Sequence, residues 1–125
     1  MNRGMSWFEI GLDRWNPNPK RWKILEKKYD LEVRVEDDNY SAWKEELGIY
    51  ISTMAEGEEI CGYYGVITFA PFVTVKQLCE FLDAFWEATD EGTNYMEISN
   101  GINSTSFCNH EDWLVKLMEL KREIA

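Results

Sequence analysis

Residues 47–71, LGIYISTMAEGEEICGYYGVITFAP, decide the fold. Leu47, Ile49 and Ile51 alternate with their neighbours as far as about Met54, the period-two pattern of a strand with one buried face. Glu56-Gly57-Glu58-Glu59 then reads as a hairpin connection, and a returning strand runs from Ile60 to about Ala70, where Pro71 stops it. Gly62 and Gly65 within that strand predict a bulge or a close packing neighbour. Just upstream, Leu31-Glu32-Val33-Arg34-Val35-Glu36 alternates apolar with charged residues, a half-buried strand, and Asp37-Asp38-Asn39 supplies turn chemistry. Ser41 to Glu46 fits either a helix or a strand.

Helices are predicted on both sides of these strands. Asn16-Pro17-Asn18-Pro19 blocks a helix before it and prepares one after it, since Asn caps and Pro suits the first turn. From Pro19 to about Tyr29, Trp22, Leu25 and Tyr29 share one face, while Lys20, Lys23 and Lys27 share another. Thr74 caps a second helix running to about Thr89, with a core stripe of Leu78, Leu82 and Phe85 broadened by Cys79, Phe81 and Trp86, and Gly92 as its stop signal. Tyr95 to Ser99 reads as a short edge strand, and the polar segment from Asn100 to Cys108 as loop. Asn109 and Asp112 form a capping-box arrangement for a third helix, whose apolar residues are Trp113, Leu114, Leu117, Met118, Leu120 and Ile124. The pattern predicts a single α+β domain over residues 1–125: a small antiparallel sheet of three to four strands packed with about three helices.

Of the 125 residues, 23 are Asp or Glu and 13 are Lys or Arg, giving a net charge of −10. At 45% apolar and 14% aromatic the chain is too rich in core-forming residues for a disordered acidic tail. The charge disfavours direct binding to nucleic acid or to an anionic membrane, both of which would repel it. The start of the chain lacks the apolar run of a signal peptide, and the longest apolar stretch, Val66 to Val73, is far below the ~20 residues of a membrane helix. Three cysteines without framework spacing fit reduced thiols, so a cytoplasmic location is expected.

The charge is segregated. Residues 1–28 hold seven bases and three acids, whereas residues 45–115 hold thirteen acids and one base, Lys76. A basic helical element, residues 1–29, therefore precedes an acidic body, residues 30–125. In the basic element Lys20, Arg21, Lys23, Lys27 and Lys28 stand beside Trp15, Trp22 and Tyr29, a combination able to grip single strands by charge and stacking. The competing reading, which the overall charge favours, puts Trp22, Leu25 and Tyr29 in the core and leaves the lysines solvated or paired with the acidic body.

Catalytic signatures are missing. The one histidine, His110, has no nucleophile motif around it, so no catalytic residue is assigned. Cys61, Cys79, Cys108 and His110 are zinc-type ligands, but only Cys108 and His110 are close in sequence, and no metal or other cofactor is expected. Cys61 and Cys79 are read instead as small buried thiols. The segment from Asp90 to Tyr95 fails the calcium-loop pattern because its sixth position is Tyr95 rather than Gly. Adjacent carboxylates such as Asp37-Asp38 and Glu111-Asp112 keep a small carboxylate- or metal-dependent enzyme as a lesser alternative.

The second helix carries the functional expectation. Glu80, Asp83, Glu87 and then Asp90 or Glu91 recur at steps of three and four, on the face opposite Leu78, Leu82 and Phe85. Such steps advance about 5–6 Å along a helix axis. Successive phosphates of one nucleic-acid strand lie roughly 6–7 Å apart, so carboxylates in this row match sites built for phosphates. Apart from Lys76, four residues before Glu80, the face lacks Lys or Arg at the helical i,i+4 spacing that ordinarily relieves repulsion. Glu56, Glu58 and Glu59 at the hairpin tip would extend the patch if the fold brought them near. In size and charge the chain resembles small acidic inhibitors of nucleic-acid enzymes, including phage anti-CRISPR and anti-restriction proteins that mimic DNA; the resemblance covers no motif. It implies a non-catalytic inhibitor whose partner is a basic protein, a nucleic-acid-binding enzyme or nuclease, with the groove of that partner filled by these acids. The alternative of the same electrostatic kind is an immunity protein or antitoxin that neutralises a basic toxin.

Overall fold

The computed structural model describes residues 8–90, 95–99 and 104–107. In chain order the elements are β1 (Glu9–Trp15), α1 (Pro19–Lys28), β2 (Glu32–Glu36), β3 (Asn39–Lys44), a single 3-10 turn (Glu45–Leu47), β4 (Ile49–Glu56), β5 (Glu59–Phe69), α2 (Val75–Glu87), β6 (Tyr95–Ser99) and β7 (Ser104–Phe107). The strands form one antiparallel sheet in the order β2-β3-β4-β5-β1-β6-β7. The α+β class is as the sequence predicts, but the sheet is larger than the expected three to four strands, and two α-helices rather than about three lie among the described residues. The third helix predicted after Asn109 lies outside them, as do Gly92, Cys108 and His110.

The central hairpin forms as its pattern dictates. Ile49, Ile51, Thr53 and Ala55 of β4 are buried while Tyr50, Ser52, Met54 and Glu56 are exposed. Gly57, at φ +65°, makes the tight reversal into β5. Ala42, Ile51, Ile67 and Ile10 stand in register across β3, β4, β5 and β1, one apolar row on the helix-covered face. The ambiguous segment from Ser41 to Glu46 divides into the end of β3 and the start of the 3-10 turn. Two strands were not expected. β1 has only Ile10 and Leu12 to mark an alternation, and β7 is the polar STSF, inside the segment read as loop. Both are strands because a neighbour supplies the hydrogen-bonding partner: β5 and β6 flank β1, and β6 pairs with β7.

Both helices pack on one face through aromatic side chains. Trp15 and Trp22 are fully buried, which makes them core and removes them from any stacking surface for nucleic acid. Trp15 stacks on Phe85 of α2, with centroids 5.2 Å apart, and meets Trp22 of α1 edge-on at 5.3 Å. Its indole N–H donates to Thr89 Oγ1 at 2.8 Å, and that hydroxyl donates in turn to the carbonyl of Phe85. Backbone bonds from Asn18 N to Ala88 O and from Asp90 N to Asn16 O tie the β1–α1 connection to the end of α2. Gly62 supplies the close approach anticipated for β5: its φ is +74°, and a Cβ there would lie 2.3 Å from Pro17 Cδ and 2.5 Å from Trp15 O. Register shifts in β5 pairing with β4 and β1 mark the accompanying bulge.

Candidate partner-binding face

α2 is fixed at its start by a reciprocal cap. Gln77 N donates to Thr74 Oγ1 at 3.1 Å, and Thr74 N donates to Gln77 Oε1 at 2.9 Å. Leu78, Phe81, Leu82 and Phe85 are buried, while Glu80, Asp83 and Glu87 are exposed. At 1.5 Å per residue these three carboxylates advance by about 4.5 and then 6 Å along the axis. The row expected from the sequence is therefore present over these three residues.

Its two proposed extensions differ. Asp90 is half-buried and forms an ion pair with Arg21, while Asn18 Nδ2 donates to its Oδ1 at 3.2 Å. Arg21 Nη1 also donates to the Glu87 carbonyl at 2.7 Å, so a cation meets the carboxyl end of α2 as its dipole favours. Asp90 thus joins α1 to α2. Glu91 lies outside the described residues. Glu58 and Glu59, beside the turn that follows Glu56, line a recess of about 80 Å³ with Pro19, Lys23 and Glu26 of α1. Pro19, Lys23 and Glu26 fall on one flank of α1, and Arg21 and Lys28, seven residues apart, on the other. The basic helix stands between the hairpin acids and the acids of α2. No sequence periodicity carries that information, because it depends on where α1 docks.

Lys28 and Tyr29 lead to a cleft that the sequence did not reveal. About 500 Å³ in volume, it lies between the end of α1 and the start of α2. Buried Ile49 and Phe69 form its floor, Tyr29, Leu47 and Val73 its apolar sides, and exposed Lys28, Gln77, Glu80 and Asp83 its mouth. The size is within the 300–1,000 Å³ that ligand clefts typically have. Gly48, at φ +67°, closes the 3-10 turn between Leu47 and Ile49; a Cβ there would lie 2.8 Å from both Ala70 Cβ and Val73 Cγ2. The same hypothetical atom would lie 2.9 Å from Phe72 Cζ, which places that exposed aromatic ring beside the cleft. The only advance signals were a glycine after Glu45-Glu46-Leu47 and an aromatic residue following Pro71. Burial first, and then the carboxylates of Glu80 and Asp83, push the Tyr29 hydroxyl above its ordinary range. Lys28 Nζ lies 5.6 Å from the centroid of the Tyr29 ring.

The thiols depart from expectation. Cys61 is exposed and Cys79 half-buried, because Cys61 alternates with buried Ile60 and Gly62 and so takes the outer face of β5. Among the described residues no group of three or more His, Cys, Asp or Glu is disposed to hold a metal ion, and no helix is long and apolar enough to cross a membrane. Compared with protein-family models, curated proteins and solved structures, the chain finds no match.

Proposed function

We propose that this chain is a non-catalytic acidic inhibitor that binds a basic protein, placing α2 in a cationic groove that otherwise holds nucleic acid. The observation that carries the reading is the row of exposed carboxylates, Glu80, Asp83 and Glu87, on a helix held by its cap and by its aromatic core. Rigidity matters here. A helix already formed gives up little backbone entropy on binding. Complementary charge also speeds encounter, so association should be fast and salt-sensitive.

The test is capture of the partner from a native host by the tagged wild-type chain and by the combined variant Glu80→Lys, Asp83→Lys, Glu87→Lys. The wild type should retain a nucleic-acid-binding protein and displace DNA or RNA from it as the chain is titrated in; the reversed variant should do neither. Equal capture and displacement by the reversed variant would overturn the reading. A captured partner that binds no nucleic acid would replace it with toxin neutralisation.

A further inference from the structure

We infer that the cleft between α1 and α2 is an anchor pocket for a protein partner, taking a basic residue adjacent to a bulky apolar one. The inference rests on the partner-binding reading and gives that surface a specific foothold. Glu80 and Asp83 belong both to the carboxylate row and to the mouth of the cleft. A cationic surface laid along α2 must therefore bring side chains over this opening. The floor beneath is apolar, formed by Ile49 and Phe69, with Val73 at its side. An aliphatic or aromatic side chain can fill it while its basic neighbour stays at the carboxylates. Hot spots of this kind combine a buried apolar anchor with charged contacts at the rim.

Lys28 makes the geometry directional. The mouth carries two acids on the α2 side and one cation on the α1 side. A guanidinium or ammonium group is drawn toward α2 and away from α1, and the apolar residue beside it falls over the floor. Reversing the charge at Lys28 would remove the one cation among the described residues that line the cleft. A stronger interaction in that variant is an outcome that damage to the fold cannot mimic.

The probe is a terminally blocked hexapeptide with one arginine followed by one leucine, flanked by glycines, titrated into the isotope-labelled full chain and followed by amide chemical shifts. Saturable shifts should map to Ile49, Phe69, Val73 and Gln77. Glu80→Gln combined with Asp83→Asn should weaken the peptide about fivefold, and Lys28→Glu should tighten it about threefold, the scale of solvent-exposed ion pairs. Glu87→Gln, outside the cleft, should leave peptide affinity unchanged while weakening capture of the whole partner. A peptide with glutamate in place of arginine should give no saturable shifts. The pocket is overturned if the shifts map elsewhere, if the glutamate peptide binds equally well, or if Lys28→Glu does not tighten binding. If the arginine peptide fails while partner capture still requires Glu80, Asp83 and Glu87, the pocket falls and the carboxylate row stands. If both fail, both readings fall.

Discussion

Replacing Tyr40 by Phe removes a single oxygen from a buried chain of hydrogen bonds, and two separate measurements read the consequence. The Trp22 indole N–H donates to Tyr40 Oη at 2.7 Å, and Tyr40 Oη donates to Glu26 Oε2 at 2.6 Å. Trp22 is 0% exposed and Tyr40 2%, so the indole N–H loses an acceptor held inside the protein. Stranding a buried donor in this way costs about 1–3 kcal/mol. For a domain of this size that corresponds to a fall in melting temperature of about 3–15 °C. The second measurement uses pH. Burial, and then the bond to Glu26, hold the Tyr40 hydroxyl protonated far above its ordinary range. In the unfolded chain the same group releases its proton near pH 10. Above that pH the native state binds one proton more than the unfolded state, so stability falls as pH rises. The slope from this one group is about 1.4 kcal/mol per pH unit. Tyr40→Phe should therefore be less stable at neutral pH yet lose stability less steeply above pH 10. Tyr29, also raised, should keep the alkaline limb from becoming flat. Urea denaturation followed by far-ultraviolet circular dichroism at pH 7, 10 and 11 measures both effects. Unchanged neutral stability together with an unchanged alkaline slope would refute the buried network.

Three further outcomes follow from individual contacts. Gly62→Ala should destabilise by about 2 kcal/mol or more, by calorimetry, because a Cβ at φ +74° meets Pro17 and the Trp15 carbonyl. Thr89→Val should cost about 1–3 kcal/mol in a denaturant titration by stranding the Trp15 indole N–H, whereas Thr89→Ser should retain most of the stability. Alkylation of Cys61 by iodoacetamide, resolved by mass spectrometry, should be slower at pH 8 than that of a model thiol, because partial desolvation on the sheet surface and then Glu56 and Asp38 raise its pKa; salt should speed it by screening those acids.

The parts legible in the sequence are those whose physics is local. Asn18 and Thr74 announce α1 and α2 because a capping side chain needs only the backbone three residues ahead of it. The β4–β5 hairpin is legible because its alternating residues and Gly57 lie within one continuous stretch. β1 and β7 were missed because their strand state is imposed by partners distant in sequence; Ile10 pairs with Ile67 and Ile98. The outward orientation of Cys61 was missed for a related reason. Its face depends on register around the β5 bulge, and a one-residue irregularity exchanges inside for outside.

The same distinction governs the charge. Segregation of acids from bases is legible residue by residue, yet its electrostatic meaning depends on how α1 docks. Arg21 engages Asp90 and the carboxyl end of α2, Lys28 reaches the mouth of the cleft, and Lys23 lies beside Glu58 and Glu59. Exposed charges interact strongly only within about 8 Å at physiological ionic strength. At that range a partner does not meet a body of uniform negative charge. Among the described residues, a surface laid on α2 would meet a short row of three carboxylates bordered by cations, with the acids of the β4–β5 hairpin beyond the basic helix. Under the proposed reading, affinity at contact would come from the placement of a few acids rather than from their number. Glu80 and Asp83, shared by the row and the cleft, are therefore the positions where substitution should matter most to a partner.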